Sequence, residues 1–193
     1  MNRLFSILIV FILASCADKP KKYSELSDSD FKHESAIVEK DTVYYKSAET
    51  ANENQKFMEL EQTDKAFMTN CRKVADSLIS SNYSGFSIKN YTPKLLDKLI
   101  DLYNSDNLKC SQDSFVNSIG VAMGDYLVNK LNMKWVIVED DYGREFGTTI
   151  EDIKYTNFPV NSVLKAIEQK REGSMQTIYL MNILTIKELT EKQ

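Results

Sequence analysis

The chain has 193 residues, 42% of them hydrophobic and 27% charged, with a formal net charge of −4. That balance is globular rather than disordered, and the length suits one domain of about 150 residues once the ends are set aside. The 24 basic residues are scattered among 28 acidic ones, without the basic stripe that a phosphate backbone requires, so no nucleic-acid partner is expected.

Residues 1–15 place one cation, Arg3, before an apolar run from Leu4 to Leu13 that only Ser6 interrupts. A bilayer span needs about 20 apolar residues, so this run is too short for one. A charged start, a short apolar stretch and small residues at its end read as a secretory signal peptide. The run closes on Leu13-Ala14-Ser15-Cys16, which resembles the lipobox of bacterial lipoproteins. The resemblance implies cleavage before Cys16, a diacylglyceryl group on its thiol and usually a third acyl chain on its amine. It also implies anchorage to the outer membrane of a bacterial envelope, since Ala17 rather than an aspartate follows the cysteine. Several acyl chains, at ~0.8 kcal/mol per buried methylene, make such an anchor almost permanent. The other readings are an ordinary signal peptide with a coincidental cysteine, or an uncleaved anchor.

Residues 16–41 are polar, mixed in charge and without sustained periodicity, and read as a flexible tether with an average reach of about 25–30 Å. The only histidine, His33, lies in this stretch. That weighs against a histidine-based catalytic or zinc site in the folded part, expected at residues 42–193.

Within that domain the apolar spacing of Phe57 and Leu60, then Phe67, Cys71, Val74 and Leu78, predicts one long helix or two end to end over 48–80. Thr92 before Pro93 predicts the start of a second helix, with Leu95, Leu99 and Leu102 on one face and Leu96, Ile100 and Tyr103 widening it. Ser111 can cap a third, carrying Phe115, Ile119, Met123, Tyr126 and Leu127 on one side. Gly120 and Gly124 lie four apart on that helix, a costly pair that predicts close approach of another backbone.

The period then falls to two. "KWVIVED" (134–140) reads as a well-buried strand, "DDYG" as a turn with Gly143 at positive φ, and "REFGTTI" (144–150) as the returning strand. "DIKYTNF" supplies a third. Pro159 opens a helix burying Val163, Leu164 and Ile167, Gly173 ends it, and Ser174 caps a last helix. The sum is an α+β fold: about three N-terminal helices, a small antiparallel β meander and two C-terminal helices.

Cys71 and Cys110, an even pair in an exported chain, could close a disulfide around a loop of about 40 residues, or could be two buried thiols. A catalytic thiol is disfavoured because no histidine is available to activate it. The densest charged group is Glu139, Asp140 and Asp141, with Glu145 nearby. It lacks the regular oxygen spacing of a calcium loop and suits a soluble hairpin tip, with carboxylate acid–base chemistry as a further reading. Tyr142 at that tip either contacts a protein partner or lies back over the sheet. With Asp140, Asp141 and Arg144 it makes the weak interaction candidates. No phosphate loop, nucleophile elbow, dinucleotide fingerprint or zinc spacing is present, and no cofactor is implied.

From about Ile119 to Glu168, the helix with Gly124 and Leu127, then Leu131, "KWVIVEDDYGRE" and "FPVNSVLKAIE" together resemble the bacterial domain of unknown function 3806. The resemblance implies a strand, turn and helix in fixed order and attaches no activity. The function expected from the sequence is that of a lipid-anchored, non-enzymatic module binding another envelope or secreted protein, for example in immunity. The alternatives are a small-ligand or cell-wall-glycan binder and, behind both, a carboxylate-dependent hydrolase.

Overall fold

The computed structural model describes residues 7–11, 27–30, 32–38, 41–49, 55–140, 143–170 and 173–191, which divide into two compact units. One holds a three-stranded sheet of order β1-β3-β2, from β1 (Ile7–Phe11), β2 (Lys32–Val38) and β3 (Asp41–Glu49). β2 and β3 pair antiparallel from Lys32 opposite Ser47 to Val38 opposite Asp41, and β1 runs parallel to β3. β1 falls within the stretch read as signal peptide and β2 within the stretch read as tether. The run Thr42-Val43-Tyr44-Tyr45 of β3 favours extended backbone and offers β2 a partner that side-chain periodicity does not signal.

The other unit contains the rest of the architecture apart from Lys56 and the β5–β6 tip at residues 139–143. After β4 (Lys56–Met58) come α1 (Gln62–Asn82), α2 (Pro93–Asn104) and α3 (Gln112–Leu131). β5 (Lys134–Asp140), β6 (Gly143–Ile150) and β7 (Tyr155–Asn157) follow, then α4 (Pro159–Glu168) and α5 (Ser174–Glu191). The sheet is antiparallel in the order β4-β5-β6-β7, so the α+β fold read from the sequence is the observed one.

Local chemistry accounts for most boundaries. Thr92 Oγ1 accepts from the Leu95 N–H at 3.3 Å, Pro93 opens α2, and Ser111 Oγ accepts from the Ser114 N–H at 3.4 Å. Gly143 takes φ +132° at the head of β6, as the turn requires. The first helix is shorter than its apolar spacing predicts. It begins at Gln62, because Glu61 is extended and its N–H is bonded at 2.9 Å by the Asp64 carboxylate, so Phe57 and Leu60 precede the helix. α4 ends at Glu168 rather than at Gly173.

α3 is the centre of the core. Its Phe115, Ile119, Met123 and Leu127 are fully buried among Leu96, Leu99 and Ile100 of α2, Val163 and Ala166 of α4, and Met175 of α5. Each large side chain so buried contributes about 1.5–3 kcal/mol. Of the two glycines of α3, Gly120 admits the backbone its spacing implies, while Gly124 admits an aromatic side chain instead. A Cβ on Gly120 would sit 2.6 Å from the Val160 Cα of α4, and one on Gly124 would sit 2.1 Å from the Trp135 ring of β5.

Candidate functional site

The start of α1 crosses the start of β6, and two contacts join them. Arg144 Nη2 donates to Asp64 Oδ2 at 2.7 Å, and the Asp64 side chain is buried beneath a guanidinium that remains partly exposed. That guanidinium holds the Asp64 carboxyl below its ordinary range, against the opposing effect of burial. Three residues along α1, Phe67 stacks on Phe146 of β6 with ring centres 5.6 Å apart and planes 7° from parallel. Residues 144 and 146 share a sheet face, as period two requires, and residues 64 and 67 share a helix face. Phe67 keeps 39% of its surface in solvent.

Beneath this pair the contacts become polar again. Trp135 meets Phe146 edge-on at 6.4 Å, and its Nε1–H donates to Asp125 Oδ1 at 2.9 Å. Arg72, one helical turn beyond Phe67 and Met68, grips both oxygens of Asp125: Nε to Oδ2 at 2.7 Å and Nη2 to Oδ1 at 2.8 Å. The hydroxyl of Tyr91 donates to the Ala122 carbonyl, and burial pushes its pKa up. The outcome is a ridge in which Phe67 stacks on Phe146, Phe146 meets Trp135, and Trp135 is tied to the Arg72–Asp125 ion pair.

Several candidates from the sequence fall elsewhere. Cys71 and Cys110 are both free thiols, which corrects the disulfide reading. Cys71 is buried with Met68 and Val121, whereas Cys110 packs at the edge of the main core. Burial pushes the Cys71 thiol up, away from the thiolate that a nucleophile needs. Asp140 closes β5 and Arg144 belongs to the ridge; Asp141, Tyr142 and Cys16 lie outside the described residues. Glu145 accepts from Asn161 Nδ2 at 2.7 Å. Among the described residues no group of three or more His, Cys, Asp or Glu side chains could hold a metal ion. No helix among them is long and apolar enough to cross a membrane.

Sequence reasoning missed Asp64, Arg72, Asp125 and Asp97. A signal for two of them was present. Asp97 and Asp125 interrupt otherwise apolar helix faces, and an acid there needs a partner from elsewhere in the fold. Asp97 finds two, accepting the Met175 N–H at 2.7 Å and the Gln176 N–H at 3.0 Å. It thereby serves the start of α5, the role expected of Ser174, and burial raises its pKa to about 6.

The fold and the ridge define an α+β domain in which a glycine-notched helix packs on a four-stranded sheet. Residues 96–179 match the family described as "Domain of unknown function (DUF3806)". They carry Asp125, Trp135, Arg144 and Phe146, while Asp64, Phe67 and Arg72 come from α1, outside the match. A crystal structure of a protein from Bacteroides thetaiotaomicron VPI-5482 is similar over 66% of this chain, with a TM-score of 0.51 and 10% identity. This chain spans about half (48%) of that protein's length, and at such identity the likeness is one of fold. No curated protein matches the chain.

Proposed function

We propose that this chain is a lipid-anchored envelope protein whose folded domain binds another protein through the α1–β6 ridge. The observation that carries the reading is the stacked Phe67–Phe146 pair beside Arg144. Aromatic and arginine side chains dominate interface hot spots, and here their conformations are fixed before any partner arrives. The lipobox resemblance at Leu13-Ala14-Ser15-Cys16 supports the anchor, with the outer membrane as its place. A binder of small ligands or cell-wall glycans is less well supported. A ligand would need room between sheet and helices, and there Trp135 of β5 fills the notch at Gly124 of α3. A hydrolase is weaker still, because the buried carboxylates Asp64 and Asp97 and the half-buried Asp125 are each engaged by structural donors.

The test has two arms. In the producing cell, an alkyne fatty acid should label the wild-type chain and not Cys16→Ala. A photo-crosslinking residue at position 67 should capture a discrete protein, whereas the same residue at Thr69 should not. Labelling of Cys16→Ala at the wild-type level would remove the anchor, and equal or no capture at the two positions would remove the interface.

A further inference from the structure

A second group of polar side chains lies further along β6, where β6 and β7 meet α5. Thr148 stands opposite Asn157 and Ile150 opposite Tyr155 in the antiparallel register, so all four project from one sheet face. Asn182 and Thr185 of α5, three residues apart and each only 1% exposed, join them. The Tyr155 hydroxyl donates to Asn182 Oδ1 at 3.1 Å, and Asn182 Nδ2 donates to the Ile178 carbonyl at 2.7 Å. The phenol oxygen also interacts with the side chains of Asn157 and Thr185, but its single proton goes to Asn182, so it has none to give to Asn157 Oδ1 or to the threonine oxygens.

Three buried oxygens of these side chains, Thr148 Oγ1, Asn157 Oδ1 and Thr185 Oγ1, have no protein partner in hydrogen-bond geometry. A buried acceptor without a donor carries the full penalty of losing water, and three together would take a large part of the stability of a domain this size. All the polar groups of the cluster are uncharged, so a cation would be buried without a counter-charge. The chemistry fits a small neutral molecule that donates and accepts together.

We infer that the β7–α5 junction is an internal water-binding site, in which water donates to Asn157 Oδ1 and exchanges hydrogen bonds with the Thr148 and Thr185 hydroxyls. Bound there, water ties the three-residue edge strand β7 to α5 beside the direct Tyr155–Asn182 bond. Water 17O relaxation dispersion on the full chain in solution tests it. The wild type should show a long-lived water component that is lost in Thr185→Val, together with a Tm lower by several degrees. An amplitude unchanged by the substitution overturns the inference. So does a higher Tm, since an apolar isostere stabilises a site whose oxygen had no ligand. If Thr185→Val does not fold, Thr148→Val makes the same comparison with the same two outcomes.

Discussion

Gly124 of α3 faces Trp135 of β5 so closely that an added methyl group would lie 2.1 Å from one ring carbon and 2.2 Å from the next. A rigid ring held by its own N–H bond to Asp125 has little freedom to withdraw. Gly124→Ala should therefore destabilise the domain by about 1–3 kcal/mol, overpacking exceeding the ~1 kcal/mol gained in helix propensity. Urea denaturation followed by circular dichroism measures it. In a Trp135→Leu background the same change should cost less, and strict additivity of the two would contradict the contact.

Asp97 sets a pH dependence. Its folded pKa of about 6 exceeds the ordinary value of 3.8, so the folded state keeps a proton that the unfolded chain has already released. Stability from this group is complete below pH ~4 and is lost as pH rises to ~6, by about 2–3 kcal/mol at most. Asp64, whose pKa is lowered by Arg144, acts in the opposite sense, losing stability as pH falls through its folded value. Asp97→Asn should flatten the decline between pH 4 and 6 in thermal melts. An unchanged slope would rule out Asp97 as its source.

The bidentate Arg72–Asp125 pair should respond asymmetrically. Asp125→Ala leaves a guanidinium and the Trp135 N–H without their acceptor and should cost about 1–3 kcal/mol, the range being held down because the Arg72 side chain is 37% exposed. Arg72→Met with Asp125→Leu removes both charges and should cost less than the two single changes summed. Double-mutant-cycle denaturation reads the difference directly, and a coupling energy of zero would sink it.

The two thiols of the folded part should behave independently. A reductant should leave Tm unchanged, because Cys71 and Cys110 are unbridged. A maleimide should modify Cys110, which is partly exposed, in the native protein, and Cys71 only after unfolding. Mass spectrometry of labelled peptides would show the order, and equal labelling rates would be inconsistent with the burial of Cys71.

Features settled within one or two turns of chain were legible in the sequence. Thr92-Pro93, Ser111, Gly143 and Pro159 each mark an observed boundary, because a cap or a turn acts on residues a few positions away. The glycine pair of α3 was legible as well, since its cost inside a helix signals a close neighbour, though not that the neighbours are Val160 and Trp135. The start of α1 was misplaced because Phe57 and Leu60 continue an apolar spacing that the Glu61–Asp64 bond interrupts. The ridge was hidden for a different reason. Asp64 meets Arg144 and Phe67 meets Phe146 across about 80 residues, and nothing local in either segment specifies the other. Phe67 reads as a core position by spacing and is half of an exposed stack by topology.

The bond from Asp97 to the backbone of Met175 spans 78 residues, and it has a kinetic consequence. An 18-residue helix is marginal by itself, so the first turn of α5 gains its acceptor only once α2 is in place. Closing so long a loop slows folding and puts the contact late in the sequence of events. During synthesis α3 can cover part of the apolar face of α2 at once, whereas the Asp97 carboxylate must wait for α5. A helix made about 80 residues after α2 is thus the one that satisfies a carboxylate in its middle.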